Sequence, residues 1–194
     1  KWTLFNKENL EAIASGLAER IGVDGNMEMK FGDKVSKQVN MANHTEAVQA
    51  ILALWKEYNV VTDANEIQNI GFRVVQGGLY FNSATSLNDD SIAKIKDAGK
   101  YAPLHNPGAV LAIEAFKALM PWAKLSASFD TSFHATIPQV NYTYPIDQKL
   151  AKELGIRKFG MHGISHMFIT RKLEQILGKD KVNFVNMHIG NGAS

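Results

Sequence analysis

An α/β fold is what this sequence predicts, on three observations. Segments with strand periodicity alternate with segments of helical periodicity along most of the chain. Strand-like runs end in glycine turns, at Gly77-Gly78 and at Gly190-Asn191-Gly192. The 194 residues hold 15 Gly but only 5 Pro, which suits α/β corners better than a proline-rich linker protein.

The elements follow in order. Trp2, Leu4 and Phe5 make residues 1–5 a short opening strand. MEMKFG, at 27–32, alternates with period two and reads as a strand. KVSKQVNM pairs with it across a hairpin at Gly32-Asp33. The clearest helix runs from Thr45 to Tyr58, with Val48, Ile51, Leu52 and Trp55 on one face. Asn43 caps it, and Glu46 stands at capping-box spacing. GFRVVQGG, at 71–78, is a buried strand running into a glycine turn. A helix follows from Asp89 to Ala98. Asn106-Pro107 opens the next, with Asn as cap and Pro in the first turn, and Pro121 stops it after Met120.

Lys124 to Phe129 is a strand that ends at Asp130. A helix from Asp147 ends at Gly155. Another covers Ile164 to Leu177, with Ile169, Leu173, Ile176 and Leu177 facing inward and Gly178 as its stop. Asn183 to His188 is the last strand. The chain closes on a glycine-rich corner that in α/β folds leads into another element, and it lacks an initiator Met. The expectation is a segment of a longer protein.

Composition narrows the function. Hydrophobic residues at 45% and charged residues at 21% are ordinary globular values and exclude a disordered chain. The net charge of +2 is too small to make nucleic-acid binding the default. With no Cys there is neither a disulfide framework nor a cysteine zinc site. No apolar run spans a bilayer and no signal peptide opens the chain, so the expected location is cytoplasmic.

Ligands of α/β sheets sit beyond the carboxyl ends of strands. Three such ends carry reactive types: Arg73 before Gly77-Gly78, Asp130 after SASF, and His188 before Gly190-Asn191-Gly192. Each alone reads as readily as an ion pair, a turn cap or a plain turn. His162 and His166 have the spacing of a helical metal pair, but no Glu follows His162 and Gly163 marks a helix entrance.

The combination is more specific than its parts. GFRVVQGG, YAPLHNPGAVLAIEA, SFDTSFHATIP, GIRKFGMHGISH and NMHIGNGAS occur in this order. Together they resemble the acetokinase family of the actin-like sugar-kinase superfamily. The resemblance implies an actin-like, ribonuclease H-like two-domain kinase fold, incomplete in this chain. The first domain is expected over 1–131, lacking its first strand and phosphate loop. The second, nucleotide-binding domain begins over 132–194.

The resemblance also implies the activity: phosphoryl transfer from ATP to acetate, giving ADP and acetyl phosphate, with Mg²⁺ (or Mn²⁺). Asp130 and His162 match the family's catalytic positions. Asp130 is expected to orient Mg²⁺ or its waters, no other metal ligand being assigned, and His162 to stabilise the transition state. Arg73 matches the residue that binds the substrate carboxylate. Val75, Leu104 and Met161 match its apolar pocket, and His105 a residue lining the site. Lys1 and the run His188, Ile189, Gly190, Asn191 and Gly192 match ATP contacts. His166 matches a structural histidine. The implied partners are acetate and ATP, with no nucleic acid or membrane, in a homodimer at full length. Phe72, Gln76 and Met161 depart from the family's His, His and Phe. Propionate or butyrate kinase shares these motifs, and a non-catalytic interaction module is the alternative of a different class.

Overall fold

The structure, a computed structural model, describes residues 1–194 and divides into two compact units. The first comprises 1–69 and 111–123, the second 70–110 and 124–194. The expected division after residue 131 falls inside the second unit.

The first unit is built on a four-stranded antiparallel meander. Its strands are β1 (Trp2–Phe5), β2 (Ala12–Glu19), β3 (Asn26–Phe31) and β4 (Asp33–Gln38), in spatial order β1-β2-β3-β4. The alternation read at 27–32 is real: Met27 and Met29 point into the core from β3. The turn at Gly32 has φ +67, which glycine adopts freely. Helix α1 (His44–Glu57) supplies Ala47, Ile51, Leu54 and Trp55 to the same core, with Met41. Trp2 meets Trp55 edge-on at 5.1 Å. The Asn43 side chain caps α1 by accepting from the Glu46 N–H at 3.0 Å. Glu46 returns its carboxylate to the Ala42 N–H, one residue before the position a capping box uses.

Two expectations change at this sheet. The strand β2 was invisible in the sequence because AIASGLAE is built from small residues with no alternation. Four strands therefore precede the first helix, and alternation begins only after α1.

The second unit holds a three-stranded sheet of β5 (Asn69–Val74), β6 (Thr85–Ser86) and β7 (Lys124–Phe129), in order β5-β7-β6. Helix α2 (Asp89–Asp97) is capped by Asn88, which accepts the Ser91 N–H, and Ser91 Oγ accepts the Asn88 N–H in return. Helix α3 (Asn106–Leu119) starts in this unit and continues in the first. Beyond the short helix α4 (Gln139–Tyr142), α5 (Gln148–Leu154) is capped by Asp147 and closed by left-handed Gly155, and α6 (Gly163–Leu177) is closed by Gly178.

Asn106 is not the helix cap that the sequence suggested. It is fully buried, and its amide is used elsewhere. Its Oδ1 accepts the Gln76 N–H at 3.1 Å, and its Nδ2 donates to the carbonyls of Gln76 at 2.9 Å and Ile95 at 3.0 Å. One side chain thus joins α3, the C-terminal half of α2 and the segment after β5.

Two further readings are corrected. Residues 183–188 form no strand, because no neighbouring strand pairs with them; the only ladder contact nearby is the Ile189–Ala193 bridge. On α6 the residues that bury are Gly163 and His166, while Ile169, Ile176 and Leu177 are exposed. Helical spacing identifies a common face but does not say which face packs. No helix is long and apolar enough to cross a membrane.

The Asn106 network generates a stability prediction. Asn106→Ala strips partners from three buried backbone groups and should cost about 2 kcal/mol or more. Urea unfolding measures it; a loss below about 0.5 kcal/mol, the level of an ordinary surface change, would show that the network carries no stability.

Candidate active site

Strand alternation decides what β5 presents. Val74 is fully buried, so its neighbour Arg73 points away from the core. On the adjacent strand β7, Phe129 is buried and ends the element. Pairing continues one residue further, with the Asp130 N–H donating to the Val74 carbonyl at 3.0 Å. That bond brings the two side chains together.

Arg73 grips Asp130 as a fork. Nε donates to Oδ1 at 3.0 Å and Nη2 to Oδ2 at 2.6 Å. The Asp130 side chain is 1% exposed, whereas that of Arg73 is 62% exposed. The hydrogen bonds to Asp130 push the Arg73 pKa further up, against the opposing effect of burial and with help from the carboxylate charge. A buried carboxylate needs such a partner, and a two-bond fork is the strongest a side chain offers. The fork uses Nε and Nη2 and leaves the Nη1 edge outside it.

The residues after β5 are bolted in place. The Gly77 N–H donates to Thr131 Oγ1 at 3.0 Å, and the Gly78 N–H to Gln76 Oε1 at 2.9 Å. Gln76, which in the sequence was only a departure from a family His, is a buried brace, 4% exposed. Thr131 was missed altogether. Its only signal was its place directly after Asp130 in the SFDTSF stretch.

His162 reaches the same place through the backbone. The Gly163 N–H donates to the Asp130 carbonyl at 2.8 Å, and a Cβ on Gly163 would strike that same oxygen. His162 itself takes a left-handed conformation, φ 54. Its ring stacks on His188 at 4.1 Å and 17°.

A chain of hydrogen bonds then orients the imidazole. Asn186 Nδ2 donates to His166 Nδ1 at 2.8 Å, so in the neutral ring Nε2 carries the proton. That Nε2–H donates to Ser194 Oγ at 2.9 Å, and the hydroxyl donates to His162 Nδ1 at 2.8 Å. His162 is left with Nε2–H as its outward donor. His166 is 8% exposed; burial, then the neighbouring His134, His188 and His162, lower its pKa.

The other expected residues are less assembled. Val75 is half-buried next to the buried Val74 and Gln76. Leu104, 91% exposed, and His105 lie on the turn before α3, and Met161 is partly exposed beside His162. None of the four lines a cavity of about 240 Å³ in this unit, whose walls include Tyr80, Phe81, Thr131, Arg157 and Phe159. Residues 188–194 form a tight hairpin, closed by bonds between His188 and Ser194 in both directions. In it the Gly190 N–H is taken up by the Gly192 carbonyl at 3.0 Å. Lys1 belongs to the other unit.

These residues do not build a Mg²⁺ site. Both Asp130 oxygens face the Arg73 guanidinium, and the carboxylate is buried from a hydrated ion. No group of three or more His, Asp or Glu side chains is disposed to hold a metal. The His162–His166 pair shares Ser194 Oγ as hydrogen-bond partner, through His162 Nδ1 and His166 Nε2.

The sequence model of the Acetokinase family matches residues 1–194. The acetate kinase of Mycoplasmopsis pulmonis is 54% identical over 195 residues, covering 100% of this chain and 50% of that protein. That of Mycoplasma capricolum is 43% identical over 198 residues, with coverage of 100% and 50%. Among solved structures, Porphyromonas gingivalis acetate kinase superposes with a TM-score of 0.93 at 31% identity, covering 98% of this chain and 50% of that one. A propionate kinase from Francisella tularensis gives 0.92 at 32% identity, covering 98% and 49%. The chain spans about half the length of the relatives it matches. The matches bear out the resemblance and the actin-like α/β fold expected from it.

The histidine cluster generates a pH prediction. Because the folded-state pKa of His166 is lowered, the unfolded chain binds more protons as pH falls below the ordinary value of 6.5. Stability contributed by neutral His166 is therefore present at pH 7.5 and lost on acidification. His166→Gln should flatten the fall in melting temperature between pH 7.5 and 5.5; an unchanged slope would remove His166 as its source.

Proposed function

The chain belongs to the acetokinase family, and from that premise we propose that it supplies the acceptor-binding residues of an ATP-dependent carboxylate kinase. The reaction is ATP and acetate to ADP and acetyl phosphate. The observation that supports this most is the Arg73–Asp130 fork, tied through Gly163 to His162. The expected cytoplasmic homodimer belongs to the same reading.

Each residue has a role its geometry suits. Acetate is already ionised at neutral pH, so no base is needed. Asp130 holds Nε and Nη2 of Arg73, which leaves the exposed Nη1 edge to receive the acceptor carboxylate. An acceptor oxygen then forms its bond to the γ-phosphorus in line with the breaking bond to ADP, which leaves with the electron pair. The His162 Nε2–H donates to the oxygens on which charge gathers in transfer. The 188–192 run is the proposed ATP contact within the second unit. An ion carried in with ATP, Mg²⁺ or Mn²⁺, would supply countercharge to the phosphates, and no residue of this chain is assigned to hold it.

Propionate is a second acceptor reading, and Met161 favours it. Its flexible thioether stands where the family pattern has Phe, and it adapts to acceptors of different length.

Two outcomes are expected in the enzyme that carries this chain. Arg73→Ala should lower kcat/KM for acetate by about 10²-fold, mainly through KM, with the KM for ATP little changed. Arg73→Lys should recover only part, because an ammonium cannot both fork Asp130 and reach the acceptor. Equal effects on the two substrates would dismiss Arg73 as the acceptor's anchor. Met161→Phe should cost propionate more kcat/KM than acetate, by a factor of tens at most, about what one methylene is worth. Equal losses would remove Met161 from the pocket.

A further inference from the structure

We propose that His134 is a positioning residue for His162, and that it fixes the turn from which His162 meets the transferring phosphoryl group. The proposal rests on the carboxylate-kinase reading above.

His134 lies in the short 3₁₀ turn Ser132–Thr136, directly after Asp130 and Thr131. Its Nε2 is 2.8 Å from the Met161 carbonyl oxygen. A carbonyl only accepts, so Nε2 carries the proton and His134 is the donor. The ring also lies flush on Gly160, which has φ +75; a Cβ there would stand 2.5 Å from ring carbons Cγ and Cδ2. Gly160 is thus the residue that lets the His134 ring close onto the turn. The ring's aromatic neighbours are Phe133, at 5.6 Å, and His166, at 5.7 Å, both met edge-on.

The turn from Gly160 to Gly163 is therefore held at two points. At one, the His134 side chain grips the carbonyl just before His162. At the other, the Asp130 carbonyl grips the N–H just after it. Between these clamps sits a non-glycine residue at φ 54. Such a conformation persists only where the surroundings impose it. Both clamps come from one stretch, 130–134, so Asp130 and His162 are fixed to a common frame. Asp130 in turn fixes Arg73. His134 completes this frame without touching substrate.

The test compares His134→Phe, which keeps a ring but loses the donor, with His134→Gln, whose amide N–H can reach where Nε2 stood. His134→Met is a second donor-less variant in case Phe over-packs. Two readouts are taken: steady-state kinetics of the enzyme that carries this chain, and amide hydrogen exchange. His134→Phe and His134→Met should lower kcat about 10²-fold, the cost of an ångström-scale misplacement, with acetate KM within threefold. The Gly163 amide should exchange at least tenfold faster, while the Gly77 amide, bonded to Thr131, stays protected. His134→Gln should return kcat to within tenfold of the parent. Unchanged Gly163 exchange in both donor-less variants would overturn the positioning role. Faster Gly163 exchange with unchanged kcat would instead overturn the reading that His162 acts in the reaction.

Discussion

A carboxylate with 1% of its side chain exposed must be neutralised, and in the second unit that requirement falls on Arg73. Much of what surrounds the pair serves to keep it aligned. The Asp130–Val74 bond extends the strand pairing past β7 and sets the two residues side by side. Asn106, Thr131 and Gln76 hold the backbone N–H groups of Gln76, Gly77 and Gly78, just after Arg73. Because the fork uses one edge of a planar cation, it also fixes the direction of the other edge. An arginine free to swing would lose its orienting power over an acceptor carboxylate.

The same stretch organises the histidines. Asp130 reaches His162 through its own carbonyl, and the rings beyond are linked by hydroxyl and amide groups with no acidic residue among them. In a cluster of four imidazoles, direction comes from which nitrogen each partner leaves free. Asn186 starts that chain by donating to His166, and the result at its far end is an N–H on His162. Burial lowers the His166 pKa, which favours the neutral ring that transmits it.

Much of this was legible in the sequence. A capping residue announced α1, and period-two alternation announced β3, because those signals are local. Arg73, Asp130 and His162 stood out through their motifs, and the structure brings all three together. What stayed hidden depended on neighbours. β2 has too little apolar contrast to show a period. The exposed face of α6 and the unpaired 183–188 segment look like buried elements until one asks what covers them. Asn106 carried a cap's signature, yet its amide serves backbone groups far along the chain. Nor could spacing reveal that Asp130 faces a guanidinium instead of a hydrated metal ion.

The central claim is that Arg73 and Asp130 act as one unit, and a double-mutant cycle on folding stability tests it most directly. The cycle uses Arg73→Met, Asp130→Asn and the double variant. Arg73→Met leaves the buried carboxylate without its partner and should be the costlier single change. The double variant should then be less destabilised than the sum of the singles, with a coupling of at least about 1 kcal/mol. Additive effects, within about 0.5 kcal/mol, would mean that the two side chains stand close without depending on each other, and would contradict the account.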